Sequence, residues 1–154
     1  IKELSRIIMP AGFQRVKAFR IKNFIERLYR DFKGRLEGLL ELDTETLREW
    51  LLKIPGIGKE TADNILLYAF DRLVFPVDRY TIRLLHRLGI TRKRKYEEVR
   101  EFVEENIPRD LKIYKEFRAL IVVHSKKICK KEPLCGMCPL NAACEAYKKQ
   151  RQDK

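Results

Sequence analysis

Apolar residues recur at helical spacing along most of the chain, and no stretch of useful length alternates apolar and polar positions. Leu4, Ile7 and Ile8 open such a pattern. Phe13, Val16, Ile21, Phe24, Ile25, Leu28 and Phe32 continue it after Pro10-Ala11-Gly12, with Arg15, Lys17, Arg20, Lys22, Arg27 and Arg30 on the other faces. Gly34 and Gly38 loosen the next stretch, and Asp43 or Thr44 is the expected N-cap of a short helix carrying Leu47, Trp50 and Leu51. A tight turn, Pro55-Gly56-Ile57-Gly58, leads into a helix with Ala62, Ile65, Leu66, Ala69 and Phe70. Val74 to Val77 is expected to be extended, because Pro76 lacks a backbone donor and disfavours helix in the residue before it. Asp78 then caps a helix through Ile82, Leu85 and Leu88. Beyond the basic loop Thr91 to Lys95, two more helices are expected, one with Tyr96, Val99, Phe102 and Val103, the other with Tyr114, Phe117, Ile121 and His124. The prediction is an all-α fold with short connectors and no internal repeat. It divides into a helical region over 1–108, with the hairpin at 54–60, and a C-terminal helix and cysteine loop over 109–154.

At 154 residues and 45% apolar composition, the chain can bury a real interior. It starts at Ile1 without methionine, already inside a helical pattern, so further sequence is expected upstream. No run approaches membrane-spanning length and no secretory leader opens it, which points to a cytoplasmic protein without a membrane partner. The 34 Lys and Arg against 22 Asp and Glu leave a formal charge of +12, which favours a polyanionic partner through counterion release. Charge alone does not separate DNA, RNA and an anionic membrane.

Three groups of residues carry candidate chemistry. In the turn, Pro55, Gly56, Ile57 and Gly58 let a phosphate approach the backbone at a helix N-terminus, and Lys59 adds a positive charge there. About twenty residues on, Asp78 supplies a carboxylate that could act on a sugar; capping the helix that begins at Arg79 is the plainer role. Glu60 is either a pocket-rim charge or a first-turn residue favourable to the helix dipole. Trp50, Tyr68, Phe75 and Tyr80 lie near enough in sequence for one to stack on a base, Tyr80 foremost because it is two residues past Asp78. His86 and His124 are expected to be packing residues.

The third group is Cys129-x5-Cys135-x2-Cys138-x5-Cys144. Four thiolates so close in sequence can wrap one metal centre, either tetrahedral zinc or a 4Fe-4S cluster. A pair of disulfides is the alternative, and it fits poorly with a chain that has no export signal. Lys126, Lys127, Lys130 and Lys131 surround the first cysteine and are expected to project positive charge, with Lys130 and Lys131 as candidate DNA contacts.

Taken in order, Leu52-Lys-Ile-Pro-Gly-Ile-Gly-Lys-Glu-Thr-Ala62, Pro76-Val-Asp78 and Cys129 to Cys144 resemble the endonuclease III group of helix-hairpin-helix DNA glycosylases. The likeness extends from Pro10-Ala-Gly-Phe13 and Lys17-Ala18 to the cysteines. It implies a two-lobed helical fold, a hairpin that grips the DNA backbone, an Asp78 essential for base excision and a 4Fe-4S cluster on the four cysteines. Three departures follow. Lyase members of the family carry a lysine where this chain has Glu60, and a carboxylate cannot form their Schiff base, so a monofunctional enzyme is expected. The first two cysteines are one residue closer than is usual in the family. Helices that normally precede the segment, including one that plugs the gap left by a flipped base, are absent from it. Gly56-Ile-Gly-Lys-Glu-Thr-Ala-Asp63 and Val77-Asp-Arg-Tyr80 look most like the branch that removes 3-methyladenine, with Glu60, Tyr80 and Trp50 at the pocket, although that branch often lacks the cysteines. The implied partner is duplex DNA with a damaged base, met by a monomer at the nucleoid. Uracil, mismatched adenine and oxidised pyrimidines are the rival substrates, and a noncatalytic DNA-binding module is the rival class.

Overall fold

The computed structural model describes residues 1–152, and among them every regular element is helical. Nine α-helices occur in chain order: α1 (Lys2–Ile7), α2 (Gln14–Phe32), α3 (Glu37–Leu40), α4 (Thr44–Leu52), α5 (Lys59–Ala69), α6 (Arg79–Leu88), α7 (Tyr96–Asn106), α8 (Leu111–Lys127) and α9 (Glu145–Gln152). The chain clusters into two compact units that divide at Leu66/Leu67, inside α5. The division expected at 108/109 falls within the second unit, where it separates α6 and α7 from α8 and the cysteine loop.

The first unit is organised around α4 and the start of α5. Asp43 is the N-cap of α4, accepting from the Thr46 N–H at 2.9 Å and satisfying one orphan donor of the first turn. Leu39, Leu47, Leu51, Ile54, Ala62 and Leu66 are all fully or almost fully buried. Trp50 joins them at 7% exposure, edge-on to Phe24 and Phe32 with the Arg27 guanidinium over its ring. The longest helix of the unit, α2, buries only Ala18 and Leu28; Phe13, Val16, Ile21 and Ile25, which share the helical pattern, stay exposed. Across this unit Arg48 and Asp63 form a buried two-bond ion pair, at 2.6 and 3.1 Å, that ties α4 to α5 on either side of the hairpin.

The second unit has its own core of Leu67, Phe75, Val77, Leu84, Leu85, Val99, Val103, Tyr114 and Ile121. Phe75 meets Tyr114 at 5.9 Å between centroids in a T-shaped contact and packs on Phe117. The segment 74–78 is extended, as Pro76 requires, and two of its backbone donors find side-chain partners instead of a ladder. The Phe75 N–H donates to Glu104 Oε1 at 2.7 Å and the Val77 N–H to the Tyr96 hydroxyl at 3.3 Å. Glycine is demanded at Gly89, the left-handed C-cap of α6, where φ is +82° and an added Cβ would strike Glu145. Among the described residues no helix is long and apolar enough to cross a membrane.

Two outcomes follow from this packing. Phe75→Ala removes a fully buried ring and should lower the urea-unfolding free energy by about 3–5 kcal/mol. Asp31 is held at a pKa of about 2 by hydrogen bonds from Arg30, then from the Trp50 indole N–H at 2.8 Å, with Arg27 adding to them. Because this pKa lies below the ordinary aspartate value of 3.8, the contribution of Asp31 to folding is present above that value and lost as pH falls through about 2. Trp50 is the single tryptophan, so its fluorescence should stay flat from neutral pH to below 3.8 and change near 2, and Asp31→Asn should abolish that step.

Candidate functional site

The hairpin joins α4 to α5 through Lys53–Gly58. The Ile54 and Ile57 N–H groups donate to Leu51 O and Ile54 O, both at 3.0 Å, and close two successive turns. Ile57 is 8% exposed and pins the loop to the core of the first unit, while Pro55, Gly56, Gly58, Lys59 and Glu60 face outward. Each glycine has a different reason. Gly56 has φ +92° and a Cβ there would lie 2.8 Å from Arg20 Cγ, so the fold itself requires it. Gly58 has nothing within 4 Å of its would-be Cβ, leaving open space in front of the backbone that starts α5. The Asn23 side-chain amide donates to Pro55 O at 2.9 Å and fixes α2 beside the turn. Next to it lies an open concavity of about 440 Å³ lined by Asn23, Glu26, Arg27, Arg30, Lys53 and Pro55. Its three cations are each drawn to a neighbouring carboxylate, Arg27 and Arg30 to Asp31 and Lys53 to Glu49. Glu60 sits exposed in the first turn of α5, where its charge favours the helix dipole.

In the second unit, Asp78 ends the extended segment and begins α6. Its Oδ1 accepts from the Thr81 N–H at 2.8 Å and from the Thr81 hydroxyl at 3.1 Å, so the capping role is present. Its Oδ2 accepts from Arg118 Nη2 at 2.9 Å, an ion pair to α8. Asp78 is 7% exposed, a desolvated carboxylate with a protein donor on each oxygen. Tyr80, two residues on, is half-buried, with the Arg79 and Arg83 guanidinium groups over its ring at 5.1 and 5.2 Å from the centroid. A hydrogen bond from Arg79 lowers the Tyr80 phenol pKa. Tyr80 lines a concavity of about 380 Å³ together with Arg79, Arg83, Ser125, Lys126, Lys130 and Lys131, so the candidate aromatic and the two candidate lysines share one basic hollow.

Two aromatic candidates are corrected. Trp50 is not a pocket residue: its indole N–H is bound to Asp31 and its ring is enclosed by Phe24, Phe32 and Arg27 in the core of the first unit. Phe75 is fully buried against Tyr114 and Phe117 and has no face to offer a base. Helical spacing could not separate these from exposed aromatics such as Tyr68, which is 47% exposed.

All four cysteines are free thiols, so the disulfide alternative is not formed. They line one cavity of about 180 Å³ with Arg87, His124 and Leu84 among its other walls. Among the described residues no three Cys, His, Asp or Glu side chains converge as a ready metal-binding set. The donor chemistry nonetheless fits a thiophilic centre. Burial pushes the Cys135 thiol pKa up, and the negative charges of Cys144, Cys138 and Cys129 push it further, a repulsion that a bound cation would cancel. Sequence reading missed two neighbours. Arg87 Nη1 donates to Cys129 Sγ at 3.3 Å while its carbonyl accepts from the Cys144 thiol at 3.2 Å, and Arg87 also binds Lys130 O and Lys131 O. His124, expected only to pack, has Nε2 at 3.7 Å from Cys138 Sγ. No local signal marks either one, since Arg87 lies 42 positions before Cys129.

Two helices joined by a glycine turn, followed by an aspartate capping the next helix, define the helix-hairpin-helix class of base excision proteins. The chain belongs to the HhH-GPD superfamily of base excision DNA repair proteins, whose match covers residues 1–109. It is 50% identical over 145 residues to a protein of Methanocaldococcus jannaschii named provisionally as a DNA repair glycosylase, covering 92% of this chain and 66% of that protein. It resembles the structure of a non-covalent endonuclease III–DNA complex at a TM-score of 0.76 and 27% identity, covering 98% of this chain and 67% of the other. The structure of the H. pylori 3-methyladenine DNA glycosylase bound to 1,N6-ethenoadenine is similar at a TM-score of 0.69 and 33% identity, covering 82% and 63%. The chain thus spans 66% of the length of the curated relative it matches at 50% identity.

A metal centre on the four thiols is testable directly. Anaerobically purified protein should carry iron and acid-labile sulfide with a visible charge-transfer band, and Cys135→Ser should lose both. Zinc in place of iron would select the tetrahedral alternative.

Proposed function

We propose that this chain is the core of a DNA glycosylase that hydrolyses the bond between a damaged base and deoxyribose without efficient strand cleavage. The observation that carries the reading is the family match over residues 1–109, which takes in both the glycine hairpin and Asp78. The hairpin and its basic concavity hold the phosphate backbone through Gly56, Gly58 and Lys59, and Lys130 and Lys131 add contacts from the second unit. The damaged nucleotide is turned out of the stack. The C1′–N bond then breaks with its electron pair leaving on the base, positive charge grows on the sugar, and water adds to C1′ while its proton passes to the Asp78 carboxylate and on to solvent. Asp78 stabilises the cationic sugar electrostatically. A base that leaves without much help suits a site in which the one assigned carboxylate acts on the sugar and not on the leaving group. An alkylated purine is such a base, because it already carries positive charge and departs neutral.

Glu60 in the position of the lyase lysine supports the monofunctional reading, since no amine is available there for a Schiff base. The neighbouring Lys59 points about 100° away around the helix. Tyr80 is the aromatic retained as a candidate to stack on the extruded base. Cys129, Cys135, Cys138 and Cys144 would hold a 4Fe-4S cluster, which when bound supplies a rigid, redox-capable cross-link of the C-terminal loop. A second reading, a noncatalytic DNA-binding module, is favoured by one observation, the burial of Asp78 against Arg118.

Duplexes that each carry one lesion separate the readings. Full-length protein should release 3-methyladenine, with strand breaks only after alkali. Asp78→Asn should cut release by about 100-fold or more while DNA affinity stays within about twofold. Uracil, mismatched adenine or an oxidised pyrimidine released in preference would change the substrate, breaks without alkali would restore lyase chemistry, and no release from any duplex would leave the docking module.

A further inference from the structure

Arg118 is 7% exposed and spans 40 positions to reach Asp78. Removing a guanidinium from water is costly, and an apolar side chain of similar volume often serves stability as well or better. Stability is therefore a weak reason for an arginine here.

The geometry offers a stronger one. The terminal torsion of an aspartate is broad and nearly two-fold, so a cap through a single oxygen leaves the carboxylate plane free to turn. Thr81 engages only Oδ1, through both its N–H and its hydroxyl. Arg118 engages Oδ2 from a different helix, and two anchors on two oxygens define a plane. The backbone on which Asp78 sits is fixed as well, by Tyr96 at Val77 and by Glu104 at Phe75.

We propose that Arg118 is a positioning residue that fixes the plane of the Asp78 carboxylate and so its aim at the sugar. This rests on the reading of Asp78 as the group that faces deoxyribose. Arg118→Met keeps the bulk of the side chain and removes the anchor; Arg118→Lys keeps the charge without the planar fork.

Two measurements on the full-length protein test it. In single-turnover base release, Arg118→Met should be slower by about 10- to 100-fold with the Kd for duplex DNA within about twofold, Arg118→Lys should recover part of the rate, and added methylguanidinium should partly restore Arg118→Ala. In amide hydrogen exchange, Thr81 should exchange about tenfold faster in Arg118→Met while Ile121, in the core on α8, keeps its wild-type rate. An unchanged Thr81, a loss of exchange protection shared equally by Ile121, or a rate loss matched by lost DNA affinity would overturn the proposal. A wild-type protein that releases no base would defeat the glycosylase reading instead, and the Thr81 exchange would still decide whether Arg118 orients Asp78.

Discussion

Asp78 is where the second unit's constraints meet. Pro76 keeps the chain extended up to that point, and an extended segment in a helical protein must find partners for its N–H groups among side chains. Glu104 and Tyr96 of α7 provide them, Thr81 of α6 takes one carboxylate oxygen, and Arg118 of α8 takes the other. Three helices are thus referenced to a single short stretch, 75–78, and the carboxylate at its end is desolvated while paired. That combination holds both carboxylate oxygens of Asp78 on protein donors at the start of α6.

The first unit meets a different demand, to hold a tight outward-facing loop rigid. Ile57 anchors the loop in the core, the Arg48–Asp63 pair clamps the two helices that flank it, and Gly58 leaves its outer side clear. Apolar burial stops short along α2, where Phe13, Val16, Ile21 and Ile25 remain exposed. The cysteine loop completes the pattern of charge. Arg87 holds the consecutive residues Cys129, Lys130 and Lys131 by binding one thiol and two carbonyls, so a cation stands beside the first cysteine. Arg83 does similar work one turn earlier, donating to Ser125 O and Cys129 O.

Much of this was written in local patterns. The helices around Trp50, Leu66, Leu85, Val99 and Ile121 lie where apolar spacing places them, and Asp43 and Asp78 cap as their positions suggest, because helix periodicity and capping are decided within a few residues. The hairpin was legible for the same reason: Pro-Gly-Ile-Gly fixes a turn from its own backbone preferences. The four cysteines announce themselves by proximity in sequence, and all four line one cavity.

What sequence spacing could not decide was which face of each helix is covered. Trp50 and Tyr80 are both aromatics near a candidate site in sequence, yet one is enclosed by Phe24 and Phe32 and the other opens onto a basic hollow. Arg118, Arg87 and His124 acquire their partners only when α8 and α6 pack, at separations of 14 to 42 positions that leave no local trace. Turns, caps and helix lengths were therefore fixed by the chain itself, because they arise from neighbouring residues. Burial, ion pairing and the company of each charged group were decided by tertiary packing, because they depend on residues that the sequence keeps far apart.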